Sequence, residues 1–143
     1  MNENQKALEV LKFAINNEIK AFNFYNYIAS KIEDRSVRYM CKNLAGDEKI
    51  HRMILEDRYK HLSEGEDCVV ENEVNYENIP SVCSLGRDEL IEMAIKLERN
   101  AQEYYLNQSK IIEDSKSAEV LLDLYNTEKE HEEKLKTLLV TKD

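Results

Sequence analysis

Hydrophobic side chains recur at steps of three and four residues in four long stretches of the chain. This spacing places the apolar residues on one face of an α-helix, so each stretch is predicted to form an amphipathic helix. The four predicted helices run from about Gln5 to Lys31, from a cap at Asp34 or Ser36 to about Leu62, from about Arg87 to Ile112, and from about Lys116 to Val140.

The periodicity breaks between residues 63 and 86, where Ser63-Glu-Gly-Glu-Asp67 and Asn78-Ile-Pro80-Ser are turn signals. A link of about 20 residues is too long for a simple hairpin. Fully extended, it spans about 65–70 Å, more than the roughly 40 Å length of a predicted helix. The link can therefore cross the whole height of a bundle, which predicts an all-α four-helix bundle in up-down-down-up order with one long crossover.

The two halves of the chain repeat each other at a constant offset. Ala14-Ile-Asn-Asn-Glu18-Ile-Lys-Ala21-Phe-Asn-Phe-Tyr25 aligns with Ala94-Ile-Lys-Leu-Glu98-Arg-Asn-Ala101-Gln-Glu-Tyr-Tyr105, and Glu48-Lys-Ile-His51 aligns with Glu128-Lys-Glu-His131. We therefore expect a single domain over residues 1–143, made of two helical hairpins, about 5–62 and 87–140, joined by the crossover 63–86.

Each hairpin offers one Glu from its first helix and a Glu-x-x-His pair from its second. Residues three apart share a helix face, so both side chains of the pair can lean toward one point. This is a known way of building a two-metal site inside a bundle. The candidate metal-binding and catalytic residues are Glu18, Glu48, His51, Glu98, Glu128 and His131.

Glu18 lies within the apolar stripe of its helix, where an uncompensated carboxylate costs several kcal/mol. A partner Lys or a bound proton is the alternative to a metal at this position. Four converging carboxylates would repel one another, and two divalent cations would remove that repulsion. We expect Glu48 and Glu128 to bridge the ions, Glu18 and Glu98 to be terminal or chelating, and His51 and His131 to bind one ion each. Oxygen and nitrogen ligands without thiolate suit iron or manganese and do not exclude zinc.

Composition and charge indicate a helical protein and disfavour several classes of partner. One Pro and three Gly in 143 residues favour helix, and the chain is long enough for a sizeable core. The net charge of −9 disfavours nucleic acid and anionic membranes as partners. No apolar run approaches the length of a membrane span, and the polar first residues carry no signal-peptide pattern, so we expect a cytoplasmic protein.

Cysteines and tyrosines allow more than one interpretation. Cys41, Cys68 and Cys83 form no Cys-x-x-Cys pair, so no rubredoxin-like or zinc-ribbon module is encoded. Cys41 is interpreted as a small buried hydrophobe, and Cys68 and Cys83 either as unrelated thiols or as a redox-sensitive pair. Tyr25 and Tyr105 are interpreted as core aromatics, with shielding of the site, a hydrogen bond to a carboxylate across the bundle, or electron relay as alternatives.

Several residues are expected on the outside. Glu103 is predicted to face solvent, His61 is not assigned to the site, and the acids Glu130, Glu132 and Glu133 with Lys129, Lys134 and Lys136 are predicted to form a solvated face. Phe13, Phe24 and Tyr27 are spare apolar residues that favour a homodimer, unless they are ordinary partly buried residues.

At the duplicated motifs Ala-Ile-x-x-Glu-x-x-Ala-x-x-x-Tyr and Glu-x-x-His the chain resembles the ferritin-like superfamily, and within it the rubrerythrin-type di-iron domains. That resemblance implies a di-iron or di-manganese site and oxidation chemistry with oxygen or hydrogen peroxide. Rubrerythrins carry a further Glu where this chain has Ala101, so a more symmetric site is expected, without support for the family's peroxide cycle with a moving iron. The rubredoxin domain is absent, which implies an external electron donor, and a ferritin storage cage is disfavoured because cage-forming chains are usually longer.

The leading hypothesis is a cytoplasmic oxidoreductase, linked to oxidative stress, with two iron ions per chain, or manganese or zinc in their place. It would act on hydrogen peroxide or oxygen, or oxidise ferrous iron, and would receive electrons from a donor protein. A non-catalytic iron- or metal-binding protein and a helical interaction module with a vestigial site are the alternatives.

Overall fold

The computed structural model describes residues 2–70 and 74–140, and this part of the chain contains helices and no strands. The helices are α1 (Glu3–Lys31), α2 (Arg35–Leu62), α3 (Pro80–Cys83), α4 (Arg87–Ile111) and α5 (Ser115–Val140), with a 3₁₀ turn at Tyr76–Asn78. The four long helices confirm the sequence prediction. The 3₁₀ turn and α3 were not predicted, because four-residue elements are too short to show a period. The predicted crossover and domain also include residues 1, 71–73 and 141–143, which lie outside the described residues.

Side-chain caps explain where the long helices begin. Asn2 and Gln5 form a capping box at the start of α1. Asp34 caps α2, where its side chain accepts hydrogen bonds from the backbone N–H groups of Ser36 and Val37. Of the two caps that the sequence allowed, Asp34 and Ser36, the structure contains Asp34.

Contacts between the helices establish the predicted up-down-down-up order. Tyr104 of α4 donates a hydrogen bond to the carbonyl of Val10 in α1, and Tyr25, later in α1, bonds Glu98, earlier in α4. The two helices are therefore antiparallel. Residues 32–34 form a short link that returns α2 antiparallel to α1, so α2 and α4 run in the same direction and the crossover joins opposite ends of the bundle.

The apolar interior is divided into two clusters, one toward each end of the bundle. One cluster includes Phe24, Val37, Ile91 and Leu135, and the other includes Leu11, Leu55, Tyr105 and Leu121. The residues near the middle of each long helix lie between the clusters. The candidate ligands are all found in this central layer, which explains how the fold keeps them away from bulk water.

The crossover covers part of the surface that the sequence assigned to a second contact face. The ring of Tyr76 lies 5.0 Å from that of Phe24 and 6.3 Å from that of Tyr27, measured between ring centroids. The Tyr76 hydroxyl also donates a hydrogen bond to the carbonyl of Lys20. Phe24 and Tyr27 are thus buried and form no exposed contact face, which agrees better with the alternative of ordinary buried residues, whereas Phe13 remains 52% exposed.

None of Cys41, Cys68 and Cys83, all within the described residues, forms a disulfide bond. Burial raises the pKa of the Cys41 thiol to about 12, which agrees with its interpretation as a small buried hydrophobe. The Cys83 thiol lies within hydrogen-bond distance of the carbonyls of Tyr76 and Glu77. Among the described helices, none combines the length and the apolar character that a membrane crossing requires.

Candidate metal centre

Six acidic and imidazole side chains meet in the central layer of the bundle. None of them is more than 5% exposed. Helices α1 and α4 supply one Glu each, and α2 and α5 supply a Glu and a His three residues apart. These side chains are Glu18, Glu48, His51, Glu98, Glu128 and His131.

The six residues form two overlapping groups. One group contains Glu18 and His51, the other contains Glu98 and His131, and both contain Glu48 and Glu128. Within each group the oxygen and nitrogen atoms that could hold an ion lie within 4.8 Å of one another. Two neighbouring cations could therefore share the two central carboxylates.

Both histidines direct Nδ1 at the carboxylates. His51 Nδ1 lies 3.4 Å from Glu48 Oε1 and 3.4 Å from Glu128 Oε1, and His131 Nδ1 lies 3.2 and 3.1 Å from the same two oxygens. The two rings stack nearly parallel, with centroids 5.8 Å apart. The central carboxylates are thus flanked by one imidazole on each side.

These close approaches do not satisfy the hydrogen-bonding capacity of the cluster. Each of the six side chains has at least one buried oxygen or nitrogen without a hydrogen-bond partner in the described structure. Buried polar atoms in native proteins are nearly always paired, so such a concentration calls for a ligand. Converging carboxylate oxygens and imidazole nitrogens are a suitable donor set for a divalent transition metal, so the residues fit a metal centre.

Burial and mutual repulsion shift the pKa values of the central acids. Burial, reinforced by the charge of Glu18, raises the pKa of Glu48 well above its ordinary value. Burial and the charge of Glu48 do the same to the pKa of Glu128. For His131, burial opposes the charged form, but the carboxylates of Glu128 and Glu48 raise its pKa overall. The cluster therefore needs protons or cations to compensate its negative charge.

Two tyrosines orient the outer carboxylates. Tyr25 of α1 donates a hydrogen bond to Glu98 Oε1 at 2.5 Å, and Tyr105 of α4 donates one to Glu18 Oε1. The second oxygen of each carboxylate, Oε2, has no hydrogen-bond partner in the described structure. Of the alternatives open from the sequence, the hydrogen bond across the bundle is the one that the structure contains.

Asp47 is a residue of the cluster's surroundings that the sequence analysis missed. Its Oδ2 lies 3.1 Å from His131 Nε2, on the side of the ring that faces away from the carboxylates. Asp47 directly precedes Glu48 in the sequence. This neighbouring position was the signal in the sequence that could have drawn attention to Asp47. The contact itself joins α2 to α5, so the periodicity of neither helix reveals it.

Glu132 was wrongly predicted to belong to a solvated face. It is 8% exposed and accepts hydrogen bonds from Arg99 and Gln102 of α4 at 2.8 and 2.7 Å, and it pairs with Lys136 at 2.9 Å. Burial alone would raise its pKa, but these donors lower the pKa to about 2. Its neighbours Glu130 and Glu133, and also Glu103, are exposed as predicted.

A cleft between α1 and α4 leads to the carboxylate side of the cluster. It has a volume of about 550 Å³, and the four clustered glutamates are among the residues that line it, whereas neither His51 nor His131 does. Ala21 and Ala101, which are equivalent in the internal repeat, line the same cleft. Their small side chains leave the cleft open beside the glutamates.

Comparison with solved structures supports the assignment of the fold. A hypothetical protein from Pyrococcus furiosus is 26% identical, with a TM-score of 0.74, over 92% of this chain and 86% of that chain. A protein from Bacteroides fragilis, described as a dodecameric thioferritin and as bacterioferritin-related, is 20% identical, with a TM-score of 0.74, over 96% of this chain and 86% of that chain. No significant match is found among curated proteins.

A family model provides the assignment by sequence. The model, described as rubrerythrin, matches residues 9–139 and so includes both hairpins and all six clustered side chains. The matched region extends from the first turns of α1 to the last turn of α5. The chain therefore belongs to the rubrerythrin family and carries, within a ferritin-like bundle, a buried carboxylate–histidine cluster that can hold metal.

Proposed function

We propose that the protein is a two-metal carboxylate oxidoreductase that acts on hydrogen peroxide or oxygen, or oxidises ferrous iron. The observation that carries this proposal is the buried cluster, in which six side chains direct unpaired oxygen and nitrogen atoms at one another in two overlapping groups. Oxygen and nitrogen donors without thiolate suit iron or manganese and do not exclude zinc. We prefer iron because the chain resembles the rubrerythrin-type di-iron domains.

The residues would divide the work according to their positions. Glu48 and Glu128 belong to both groups and would bridge two ions. Glu18 and Glu98, each held by a tyrosine, would be terminal ligands, and His51 and His131 would each hold one ion. Bound iron would supply the redox chemistry for converting peroxide or oxygen, or for oxidising further ferrous ions.

The cleft between α1 and α4 would admit the oxidant. Since the glutamates line the cleft and the histidines do not, incoming molecules would meet the carboxylate side of the site. Tyr25 and Tyr105 would remain protonated there, because burial and the adjacent glutamates raise their pKa values well above the ordinary range.

Electrons would come from an external donor protein. Within the described part of the chain, cysteine contributes to neither of the two groups of potential metal ligands, so that part offers no thiolate cluster for relaying electrons. We also propose a cytoplasmic homodimer, in which exposed apolar side chains such as Phe13 and Met53 would contribute to self-association. The described dodecamer of the Bacteroides fragilis relative makes larger assemblies a second possibility to be measured.

Metal analysis provides the first test. The protein, purified and then reconstituted anaerobically with ferrous iron, is expected to hold about two ions per chain. A Glu48→Ala, Glu128→Ala variant should lose both ions, whereas Glu119→Ala, Glu130→Ala, which removes two exposed acids from α5, should keep them. Absence of stoichiometric metal from the reconstituted wild type would refute the proposal.

Turnover separates the enzyme from a passive metal-binding protein. Loaded wild type is expected to consume peroxide with a chemical electron donor, or to oxidise added ferrous iron faster than buffer. Two ions bound without either activity would support the non-catalytic alternative instead. The same assays on the double variant of Glu48 and Glu128 measure any reaction of loosely bound iron.

A further inference from the structure

The two histidines of the cluster differ in what contacts the ring nitrogen that faces away from the carboxylates. His131 Nε2 lies 3.1 Å from Asp47 Oδ2. In the described structure no hydrogen bond is found at His51 Nε2, and His51 is 5% exposed against 1% for His131. The two ends of an otherwise repeated site are therefore not alike.

The internal repeat explains the difference by a single substitution. Asp47 stands next to Glu48 on α2, and the position 80 residues later, next to Glu128 on α5, is Thr127. The Thr127 hydroxyl donates a hydrogen bond within its own helix, to the carbonyl of Asp123 at 3.2 Å. Thr127, which is equivalent to Asp47 in the repeat, thus has a shorter and neutral side chain whose hydroxyl already makes another hydrogen bond.

A carboxylate at this place has a specific effect on a metal-binding imidazole. A carboxylate only accepts hydrogen bonds, so the bond requires a proton on Nε2 and leaves the lone pair of Nδ1 for a metal. The bond also fixes the ring orientation and raises the basicity of the ligand. Asp47 therefore fixes the tautomer and the orientation of His131, and no described residue does the same for His51.

We infer that the two metal positions are inequivalent, and that Asp47 is a positioning residue that makes the Glu98–His131 position the tighter of the two. This inference rests on the proposed two-metal site. It predicts stepwise loading, in which the first ion occupies the His131 end and the second ion completes the pair at the His51 end.

The experiment is a titration of metal-free protein with Co²⁺, followed by its visible absorption and by calorimetry. Wild type is expected to bind in two resolved steps with affinities at least about tenfold apart. Asp47→Ala should weaken the first step by about 10- to 100-fold, the usual effect of losing the partner of a metal-binding His, and so merge the steps. Asp57→Ala, which removes an exposed acid from the same helix, should change neither step.

A variant that gains metal affinity distinguishes a specific role of the carboxylate from a merely structural effect of removing Asp47. Thr127→Asp places a carboxylate at the equivalent position and should tighten the second step, bringing the two affinities together from the opposite direction. His131→Ala should remove the tight step and His51→Ala the weak one, and thermal denaturation of each metal-free variant shows whether it is folded.

The possible outcomes are distinct. Two ions bound with equal affinity by wild type, or Asp47→Ala acting no more strongly than Asp57→Ala, would overturn the inequivalence and leave the two-metal site intact. Failure of wild type to bind two ions at all would overturn the proposed function as well. Tightening of the second step by Thr127→Asp together with loss of the first by Asp47→Ala would support the inference.

Discussion

Tyr25 of α1 donates a hydrogen bond to Glu98 of α4 across the bundle, with 2.5 Å between Oη and Oε1. Tyr105 of α4 makes the reciprocal bond to Glu18 of α1. Each bond engages one oxygen of its carboxylate while the other oxygen is turned toward the cluster. The internal repeat thus provides two equivalent tyrosine–glutamate hydrogen bonds, which join α1 to α4 and orient the two outer ligands.

Tyr25→Phe is expected to disturb Glu98 without removing it. The variant leaves a buried carboxylate oxygen without its donor, which should lower the free energy of unfolding of the metal-free protein by about 1–3 kcal/mol. It should also weaken metal binding, since ligand orientation is lost, by about 10-fold or more. Chemical denaturation and a Co²⁺ titration measure the two effects. Tyr39→Phe, at a 72% exposed position on α2, is the control, and equal behaviour of the two variants would contradict the role.

Metal is expected to stabilise the fold. An ion that binds only the folded chain adds about 2.7 kcal/mol to the free energy of unfolding at a concentration of 100 times its Kd. Loading should raise the melting temperature, and a chelator should reverse the increase. Replacing Glu48 and Glu128 by Gln removes two acids whose pKa values are raised by burial, so this metal-free variant should be at least as stable as metal-free wild type and should not respond to metal. A metal-dependent shift in this variant would place the ions elsewhere.

Much of the fold could be predicted because both hairpins repeat the same residue spacing, and that spacing determines which side chains share a helix face. Glu18 and Glu98 interrupt apolar stripes at equivalent positions, and each Glu-x-x-His pair shares one helix face, so convergence follows once the hairpins pack. The direction of α4 was also predicted from the crossover, which is long enough to span the bundle. These features depend on spacing within a helix or on chain length, both of which a single sequence contains.

What escaped the sequence depends on neighbours from other helices. The charge of the buried Glu132 is compensated in part by Arg99 of α4, and Asp47 contacts His131 of α5. Phe24 and Tyr27 are covered because Tyr76 folds back from the crossover. Helical periodicity ranks faces by apolar content, so it cannot find a charged residue whose burial is compensated by a distant partner.

Closing the cleft should slow the reaction without emptying the site. Ala101→Leu places a larger side chain on the cleft wall beside the glutamates, so access of peroxide or oxygen should fall by about tenfold, which corresponds to about 1.4 kcal/mol. Elemental analysis should still find wild-type metal content after long equilibration. Stopped-flow mixing of the loaded protein with peroxide measures the rate. Ala101→Ser is the small control, and an unchanged rate in Ala101→Leu would show that the oxidant enters by another route.

Asp34 is expected to make stability depend on pH at the acidic end. It caps α2 and accepts a hydrogen bond from Arg87 Nε at 2.9 Å, and Arg87 also bonds the carbonyl of Leu138, so the contact joins the starts of α2 and α4 to the end of α5. The hydrogen bond from Arg87 is the main cause of the lowered pKa of Asp34. A lowered folded-state pKa means that the contribution is present above the unfolded-state value of about 4 and is lost as pH falls through the folded-state value.

Asp34→Ala should therefore lower the free energy of unfolding at pH 7 by about 1 kcal/mol, chiefly through loss of the cap. Part of the Asp34 side chain is exposed, so its ion pair with Arg87 adds little beyond that. The difference between wild type and variant should shrink as the pH is lowered below about 4, because wild type then begins to lose the same charge. Urea denaturation across this range measures it, beside Glu33→Ala as an exposed neighbouring control. A difference that stays constant with pH would mean that the Asp34 charge contributes nothing and that only the shape of the cap is important.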